Sequence, residues 1–150
     1  TAWIKTDFSS TGNQDIVEHN CQFVIRLNGT NKNASFYVCT TVPTTGWRTQ
    51  VSTPNKSINP NEWTFIAATY DGTTQSVYIN GVLKASNTLA SGPLNVANGE
   101  ISIGAWNSPA PSNLFNGSID EVRVYAGALS AEAIGKLYAE SAPRHGFATK

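Results

Sequence analysis

The sequence predicts an all-β protein, an antiparallel β-sandwich with one short helix near its C-terminal end. Hydrophobic and polar residues alternate with period two in most segments, and turn-forming residues recur roughly every eight to twelve positions. Helical character is confined to one stretch late in the chain. The 150 residues are sufficient for one domain with a sizeable core. Many short strands followed by one helix favour two packed sheets.

The strands are predicted from this alternation in chain order. They lie near residues 2–5, 15–18, 22–27, 35–41, 49–51, 64–71, 75–79, 82–86, 100–104 and 117–125. Asn80-Gly81 is the strongest hairpin signal, because a type I′ turn needs positive φ at both central residues. The helix is predicted over residues 130–140, with Ser130 as its N-cap. Ala133 occupies the position where a capping box has Glu, so the cap is only half formed.

Composition limits the possible functions. Charged residues make up 13% of the chain, and ten acidic residues balance ten basic ones. This balance gives no electrostatic footprint for nucleic acid or an anionic membrane. No apolar run reaches the roughly 18 residues needed to span a bilayer, and no signal peptide is recognisable. We therefore expect a mature or excised domain that is secreted or displayed at a cell surface.

Three segments carry motifs in a fixed order. They are Asn-Glu-Trp-Thr-Phe-Ile-Ala-Ala-Thr-Tyr-Asp-Gly at 61–72, Ser-Val-Tyr-Ile-Asn-Gly-Val-Leu-Lys-Ala at 76–85, and Phe-Asn-Gly-Ser-Ile-Asp-Glu-Val-Arg-Val-Tyr at 115–125. The last is followed by Ala128-Leu129-Ser130. Together they resemble the laminin-G-like jelly rolls of the concanavalin A-like lectin/glucanase superfamily. The resemblance implies a jelly-roll sandwich, and it says less about function, because that superfamily includes binding modules, adhesion modules and enzymes.

The start of the chain departs from this family pattern. The family has a further strand well before the Ala2-Trp3-Ile4-Lys5 segment, and that strand pairs near the last strand. We therefore expect the domain, residues 1–150, to lack the family's first strand. The edge left open would be covered by a segment upstream in a longer chain, by residues 141–150, or by a second chain, since an open strand edge is an association site.

Two cysteines flank a predicted hairpin. Cys21 precedes one strand, Cys39 lies in the next, and the turn is centred near Thr30. That register places residues 21 and 39 opposite each other, so a cross-strand disulfide is geometrically possible. We predict this disulfide because export is favoured. The alternative is two buried free thiols.

The sequence predicts no catalysis. Glucanases of the superfamily resemble one another in a strand with Glu-x-Asp-x-x-Glu, and this chain has no such run. The spacing of Asp15 and Glu18 predicts that they point to opposite faces of a strand. His19 and His145 have no convincing partner in the sequence.

Asp120 is the candidate metal ligand. It alternates in line with Val122 and Val124, which predicts that its carboxylate faces the core. A carboxylate there must be paired, hydrogen-bonded or bound to a metal. Many members of the superfamily bind one calcium ion at the sandwich rim, so the resemblance implies a structural calcium at Asp120. The alternative is that Asp120 accepts backbone N–H groups.

Tryptophan placement suggests a ligand surface. Trp3 and Trp63 fall in strand patterns and are expected to pack, whereas Trp47 and Trp106 fall in turn-rich connections. Sugar sites combine an aromatic face with planar polar groups. The candidate ligand-binding residues are therefore Trp47, Arg48, Trp106, Asn107 and Asn113. The alternative for both loop tryptophans is a lid over the edge of the core.

These observations predict a non-catalytic extracellular binding module whose ligand is a glycan. The alternative is a protein-adhesion or structural module of a cell-surface protein. Expected partners are the glycan and, in addition, other domains of a longer chain or a second copy. Nucleic acid and membrane insertion are not expected.

Overall fold

The computed structural model describes residues 1–19, 22–42, 49–95, 99–107 and 110–147. Its strands are β1 (Ala2–Lys5), β2 (Asn13–His19), β3 (Phe23–Asn28), β4 (Asn33–Val38), β5 (Thr40–Val42), β6 (Thr49–Ser52), β7 (Thr64–Tyr70), β8 (Gln75–Ile79), β9 (Val82–Asn87), β10 (Ser91–Leu94), β11 (Ile101–Ile103), β12 (Trp106–Asn107), β13 (Pro111–Ser112) and β14 (Ser118–Asp120). Helix α1 spans Ala131–Ser141 and continues into a 3₁₀ turn, Ala142–His145.

Two five-stranded antiparallel sheets form the sandwich. Sheet A has the order β14-β1-β7-β8-β9, and sheet B has the order β11-β2-β3-β4-β6. Short pairs, β10 with β5 and β12 with β13, lie at the connections. The predicted antiparallel β-sandwich with one short C-terminal helix is confirmed.

The main core lies between the two sheets. In sheet B, Val17, Ile25, Phe36 and Val51 follow one another across the strand register and all belong to this core. Residues of one strand face alternate sides, so their chain neighbours point out of the sandwich. The residues that alternate with these core residues therefore form the outer face of sheet B.

A second apolar cluster lies on the outer side of sheet A, beneath α1. Trp3 is completely buried there with Phe65 and Ile134, and its indole N–H donates to Ser141 Oγ at 2.9 Å. The helix begins after Ser130, whose hydroxyl accepts from Ala133 N at 3.2 Å. The predicted helix and its half-formed cap are both confirmed. The described helical residues form no segment of the length and hydrophobicity that a membrane crossing requires.

The Asn80-Gly81 turn has the predicted backbone, with φ of 50° and 78°. Gly117, in the family motif, is required by close packing. A Cβ there would lie 2.1 Å from the carbonyl oxygen of Lys5. The Asn-Gly-Ser sequence thus lets the last strand begin against β1.

The strand predicted over residues 117–125 is too long. It ends at Asp120, because Glu121 has φ of 46° and interrupts the ladder. Pairing resumes beyond this bulge, where Arg123 N donates to Thr1 O at 2.9 Å and Thr1 N donates to Arg123 O at 2.7 Å.

The hairpin around Thr30 differs by one residue from its predicted register. Phe23 pairs with Val38, and Cys39 N donates to Gln22 O at 2.9 Å, so Cys39 is aligned with residue 22 and not with residue 21. Cys39 is buried with a free thiol, and Cys21 lies outside the described residues. The disulfide therefore has no structural support and stays a prediction.

Candidate functional site

Two neighbouring rows of residues on the outer face of sheet B are called here the polar face. One row runs Asp15, Arg26, Ser35 and Ser52, and the other runs Glu18, Val24, Tyr37 and Gln50. Helix α1 packs on sheet A, so it lies on the opposite side of the sandwich. The polar face thus combines charged, hydroxyl, amide and phenol groups on one sheet, and among them Asp15, Glu18 and Ser35 are buried.

A β-bulge sets the charge pattern of this face. The β2–β3 register shifts between Asp15 and Val17, and Ile16 is the extra residue. Asp15 and Glu18 consequently lie on the same face, and the predicted opposite placement is wrong. The alternation of β2 changes phase at the bulge, which simple spacing does not reveal.

Asp15 and Arg26 form a buried bidentate ion pair. Arg26 Nε lies 2.5 Å from Asp15 Oδ1, and Nη2 lies 3.0 Å from Oδ2. The side chain of Asp15 is 0% exposed and that of Arg26 is 11% exposed. Burial disfavours the charged guanidinium, but the hydrogen bonds and charge of Asp15 together with Tyr37 outweigh it and raise the pKa of Arg26 above its usual value. The pair is therefore a fixed element of the face.

Aromatic rings flank this pair. The guanidinium carbon of Arg26 lies 5.3 Å from the ring centroid of Tyr37 and 5.6 Å from that of Trp106, within cation–π range. Trp106 comes from β12, which pairs with β13 to form a small hairpin at the polar face. The hairpin places the half-buried Trp106 beside Arg26, a neighbour that sequence reasoning missed.

Asn113 anchors this hairpin. Its carbonyl accepts from Asp15 N at 2.8 Å, and its amide donates to Asp15 Oδ2 at 3.2 Å. Its φ of 48° belongs to the left-handed region, which asparagine tolerates. Asn113 therefore holds the ion pair and the Trp106 hairpin together.

Hydroxyl and amide groups form a second cluster on the same face. Gln50 Nε2 donates to Ser35 Oγ at 3.1 Å and to Ser52 Oγ at 2.7 Å, and the two serine hydroxyls lie 2.8 Å apart. Gln50 and Ser52 are exposed. This cluster offers donors and acceptors to a polar ligand.

Three other predicted ligand residues lie wholly or partly outside the described part of the chain. Trp47 and Arg48 lie outside the described residues, so their role stays a prediction. Asn107 pairs with Pro111 through its backbone, and its side chain lies outside the described part of the chain.

Asp120 does not face the core, so the predicted orientation is wrong. Its register partner Trp3 points out of sheet A, and the Asp120 side chain is 57% exposed on that side. Its neighbour Ile119 packs on the core instead. Asp120 Oδ1 accepts from Glu121 N at 2.7 Å, which matches the alternative of a backbone acceptor.

The surroundings of Asp120 do not fit a calcium site. The adjacent Glu121 is bound to Arg123 at 2.7 Å and to Arg144 at 2.7 Å. Hydrogen bonding from Arg144, more than any other cause, lowers the pKa of Glu121. In the described part of the chain, no three His, Cys, Asp or Glu residues are grouped to hold a metal. Calcium stays an untested prediction.

His145, for which the sequence gives no convincing partner, is buried in the structure. Its ring stacks on Trp3 with a centroid distance of 4.2 Å, and Trp63 lies 4.7 Å away. His145 Nε2 is 3.6 Å from Glu121 Oε1. These contacts attach the 3₁₀ turn to the outer side of sheet A.

A second surface lies at one open edge of the sandwich. An apolar cavity of about 160 Å³ enters between the sheets beside residues 123–129, and Phe23, Ile25 and Ala68 are among its lining. Ile103 at the β11 edge is 57% exposed, and Val124 is 53% exposed. Ile103 lies in β11, the edge strand of sheet B, and Val124 follows β14, the edge strand of sheet A.

The fold is that of the concanavalin A-like lectin/glucanases superfamily, and the chain belongs to it. The family model Laminin_G_3, described under that superfamily, matches residues 1–135. The predicted resemblance is therefore confirmed. No curated protein matches the chain.

Several solved structures share this fold. The CBM40 of the Ruminococcus gnavus IT-sialidase has a TM-score of 0.71 and 16% identity, over 91% of this chain and 79% of that one. A candidate carbohydrate binding protein of Bacteroides ovatus ATCC 8483 has a TM-score of 0.68 and 20% identity, over 90% and 38%. The binding domain of Paraclostridial Mosquitocidal Protein 1 has a TM-score of 0.67 and 21% identity, over 93% and 36%. The chain thus spans little more than a third of the last two, and identities this low show the fold alone.

Proposed function

We propose that this domain is a non-catalytic, extracellular binding module and that its polar face binds a glycan. The observation that carries the proposal is the position of Trp106 beside the Arg26–Asp15 pair, with Tyr37 on the same guanidinium. Family membership and the carbohydrate-binding names of two structural neighbours support it.

The chemistry of the polar face suits a sugar. Aromatic rings of Trp106 and Tyr37 offer apolar surface to the C–H groups of a pyranose, and the Gln50 cluster offers hydrogen bonds to its hydroxyls. Arg26 is already held by Asp15, so binding need not order it. Preorganised groups on a rigid sheet give affinity with a small entropic cost.

The same arrangement argues against hydrolysis. Asp15 and Glu18 share a face, but both are buried, and Asp15 is committed to Arg26 and Asn113. A general acid or nucleophile must reach the glycosidic bond. We expect no new reducing ends when the domain is incubated with a glycan that it binds.

A glycan array followed by titration calorimetry tests the proposal. Trp106→Ala should weaken binding about tenfold or more, because a stacked ring contributes roughly 1–2 kcal/mol. Tyr125→Ala is the matched control, since Tyr125 is an exposed aromatic at the open edge and not on the polar face. If Trp106→Ala folds normally and leaves all glycan binding unaltered, the tryptophan is a lid and the proposal fails.

One observation favours the second candidate, a protein-docking or structural module. The open edge exposes Ile101 and Ile103 in β11, and Val124 in the lining of the apolar cavity. We propose that a segment of a longer chain or a second copy covers this edge. Loss of partner binding in Ile103→Asp, with glycan binding absent from the wild type, would favour this function over the first.

A further inference from the structure

The hairpin that carries Trp106 is attached to the sheet at two adjoining residues of β2. Before β12, Gly104 N donates to Ile16 O at 3.0 Å, and after β13, Asn113 O accepts from Asp15 N at 2.8 Å. Gly104 and Asn113 both have positive φ, 78° and 48°. Two points of attachment define a line, so other contacts must fix the rotation of the hairpin about that line.

We propose that the side-chain amide of Asn113 fixes this rotation and thereby positions Trp106 over Arg26, without contacting the ligand itself. The inference rests on the proposed glycan-binding function and deepens it. It changes the role of Asn113 from a ligand contact, as the sequence predicts, to a positioning residue.

The amide of Asn113 is directed at a carboxylate of the protein. Its Nδ2 donates to Asp15 Oδ2 at 3.2 Å, and the Asp15 side chain is 0% exposed. A hydrogen bond to an ionised acceptor is stronger than one between neutral groups. The same carboxylate accepts from Nε and Nη2 of Arg26. One buried carboxylate therefore orients both the guanidinium and the end of the hairpin.

Trp106 is close to this anchor across the hairpin. Its register partner is Ser112, the residue that precedes Asn113. The Trp106 ring centroid lies 5.6 Å from the guanidinium carbon of Arg26, and the cation–π attraction depends on that placement. Ring, guanidinium and amide are thus connected through Asp15. A change at Asn113 should therefore alter the orientation of the ring.

Fluorine NMR of the full chain tests the position of the ring in the absence of any ligand. In protein labelled with 5-fluorotryptophan, the Trp106 resonance is assigned by its loss in Trp106→Phe. Asn113→Gly permits the left-handed backbone and removes the amide, so it should shift or broaden this resonance. Asn113→Asp keeps the size of the side chain but replaces the donor with a second carboxylate against Asp15, so it should perturb the resonance at least as much.

Asn80→Gly is the matched control. Asn80 also has a left-handed φ, 50°, and its side-chain Oδ1 accepts from Phe65 N at 2.9 Å. It lies in the turn between β8 and β9 of sheet A, away from the polar face. This variant loses a comparable hydrogen bond and should leave the Trp106 resonance unchanged.

A double-mutant cycle tests whether Asn113 acts through Trp106. Binding is titrated with cellotriose, mannotriose and lactose, and with any other oligosaccharide that the glycan array identifies. Asn113→Gly should weaken binding by about threefold to tenfold, which is at most the loss expected for Trp106→Ala. In the Trp106→Ala background it should have no further effect, because residues that act through one another are not additive.

The outcomes separate this inference from the proposed function. An unchanged Trp106 resonance in both Asn113 variants overturns the inference, whether or not a glycan binds. A change in Asn113→Gly that Asn113→Asp does not reproduce assigns the effect to the backbone and overturns the role of the amide. Equal weakening by Asn113→Gly with and without Trp106 means that Asn113 contacts the glycan, so the inference fails and the glycan site stands. If the resonance moves but no glycan on the array binds the wild type, the proposed function fails and the inference falls with it.

Discussion

The outer face of each sheet has a tryptophan ring next to a titratable or cationic side chain, buried on sheet A and partly exposed on sheet B. On sheet A, Trp3 stacks on His145 and is sealed beneath α1 and the 3₁₀ turn. On sheet B, Trp106 lies over Arg26 and stays half-exposed. An aromatic ring beside a titratable or cationic group is therefore fully buried where a helix covers it, and stays partly exposed on the face that α1 does not cover.

The largest expected effect is on the covered face. Trp3→Ala removes a fully buried ring that contacts Phe65, Tyr138 and His145, and it leaves Ser141 without its indole donor. It should lower the free energy of unfolding by about 3–5 kcal/mol, measured by urea denaturation. Trp106→Ala should cost markedly less stability. Equal losses for the two variants would erase the distinction between the faces.

The next effect tests whether the polar face is also structural. Arg26→Ala leaves the Asp15 carboxylate buried without its ion-pair partner, and removing one member of such a pair costs about 3 kcal/mol. Arg26→Lys should recover only part of this, because an ammonium cannot make the bidentate contact. Denaturant midpoints check the order of wild type, Lys and Ala. If Ala and wild type coincide, the pair is not a fixed element of the site.

A smaller effect concerns α1, the helix that covers the outer side of sheet A. Ser130→Ala removes the hydroxyl that accepts from Ala133 N. It should destabilise the domain by about 1 kcal/mol. Ser130→Asp should retain the cap and gain from the helix dipole. Thermal unfolding that does not separate the two variants would mean that α1 is held by packing alone.

The smallest effect is a pH dependence on the covered side. Hydrogen bonds from Arg144 lower the pKa of Glu121 below its ordinary value of 4.5. A depressed folded-state pKa contributes stability above the unfolded pKa, and this contribution is lost as the pH falls through the folded pKa. The melting temperature of Glu121→Gln should therefore fall less steeply than that of wild type below about pH 4.5. Glu140→Gln, which removes an exposed carboxylate 3.9 Å from Lys136, should keep the wild-type slope.

Much of the sandwich could be predicted because period-two alternation is a local signal. β1, β7, β8 and α1 lie within about a residue of their predicted bounds. β10 and β13 were missed, since they are short and contain Pro93 and Pro111, which argue against strands in a sequence.

The site was harder to predict because bulges change which way side chains point. Ile16 in β2 shifts the phase, so Asp15 joins the face of Glu18. Asp120 pairs with Trp3, so both side chains point to the same side of sheet A, away from the main core. Trp3 points to that side because α1, far along the chain, covers its ring there. Opposite charges at Asp15 and Arg26 in adjacent strands were the available signal for the ion pair. Trp106 was identified correctly as a loop residue, but its partner could not be known without the register.

The order of strands in the two sheets also bears on how the chain folds. Sheet B takes β2, β3, β4 and β6 from one contiguous stretch, whereas sheet A places β1 between β7 and β14. During synthesis, β1 must therefore wait for residues 64–70 and then 118–120 before its two edges are paired. Non-local pairing of this kind slows folding and leaves β1 open to wrong associations meanwhile. We expect sheet B to form early on the ribosome and sheet A to close only when most of the domain has emerged.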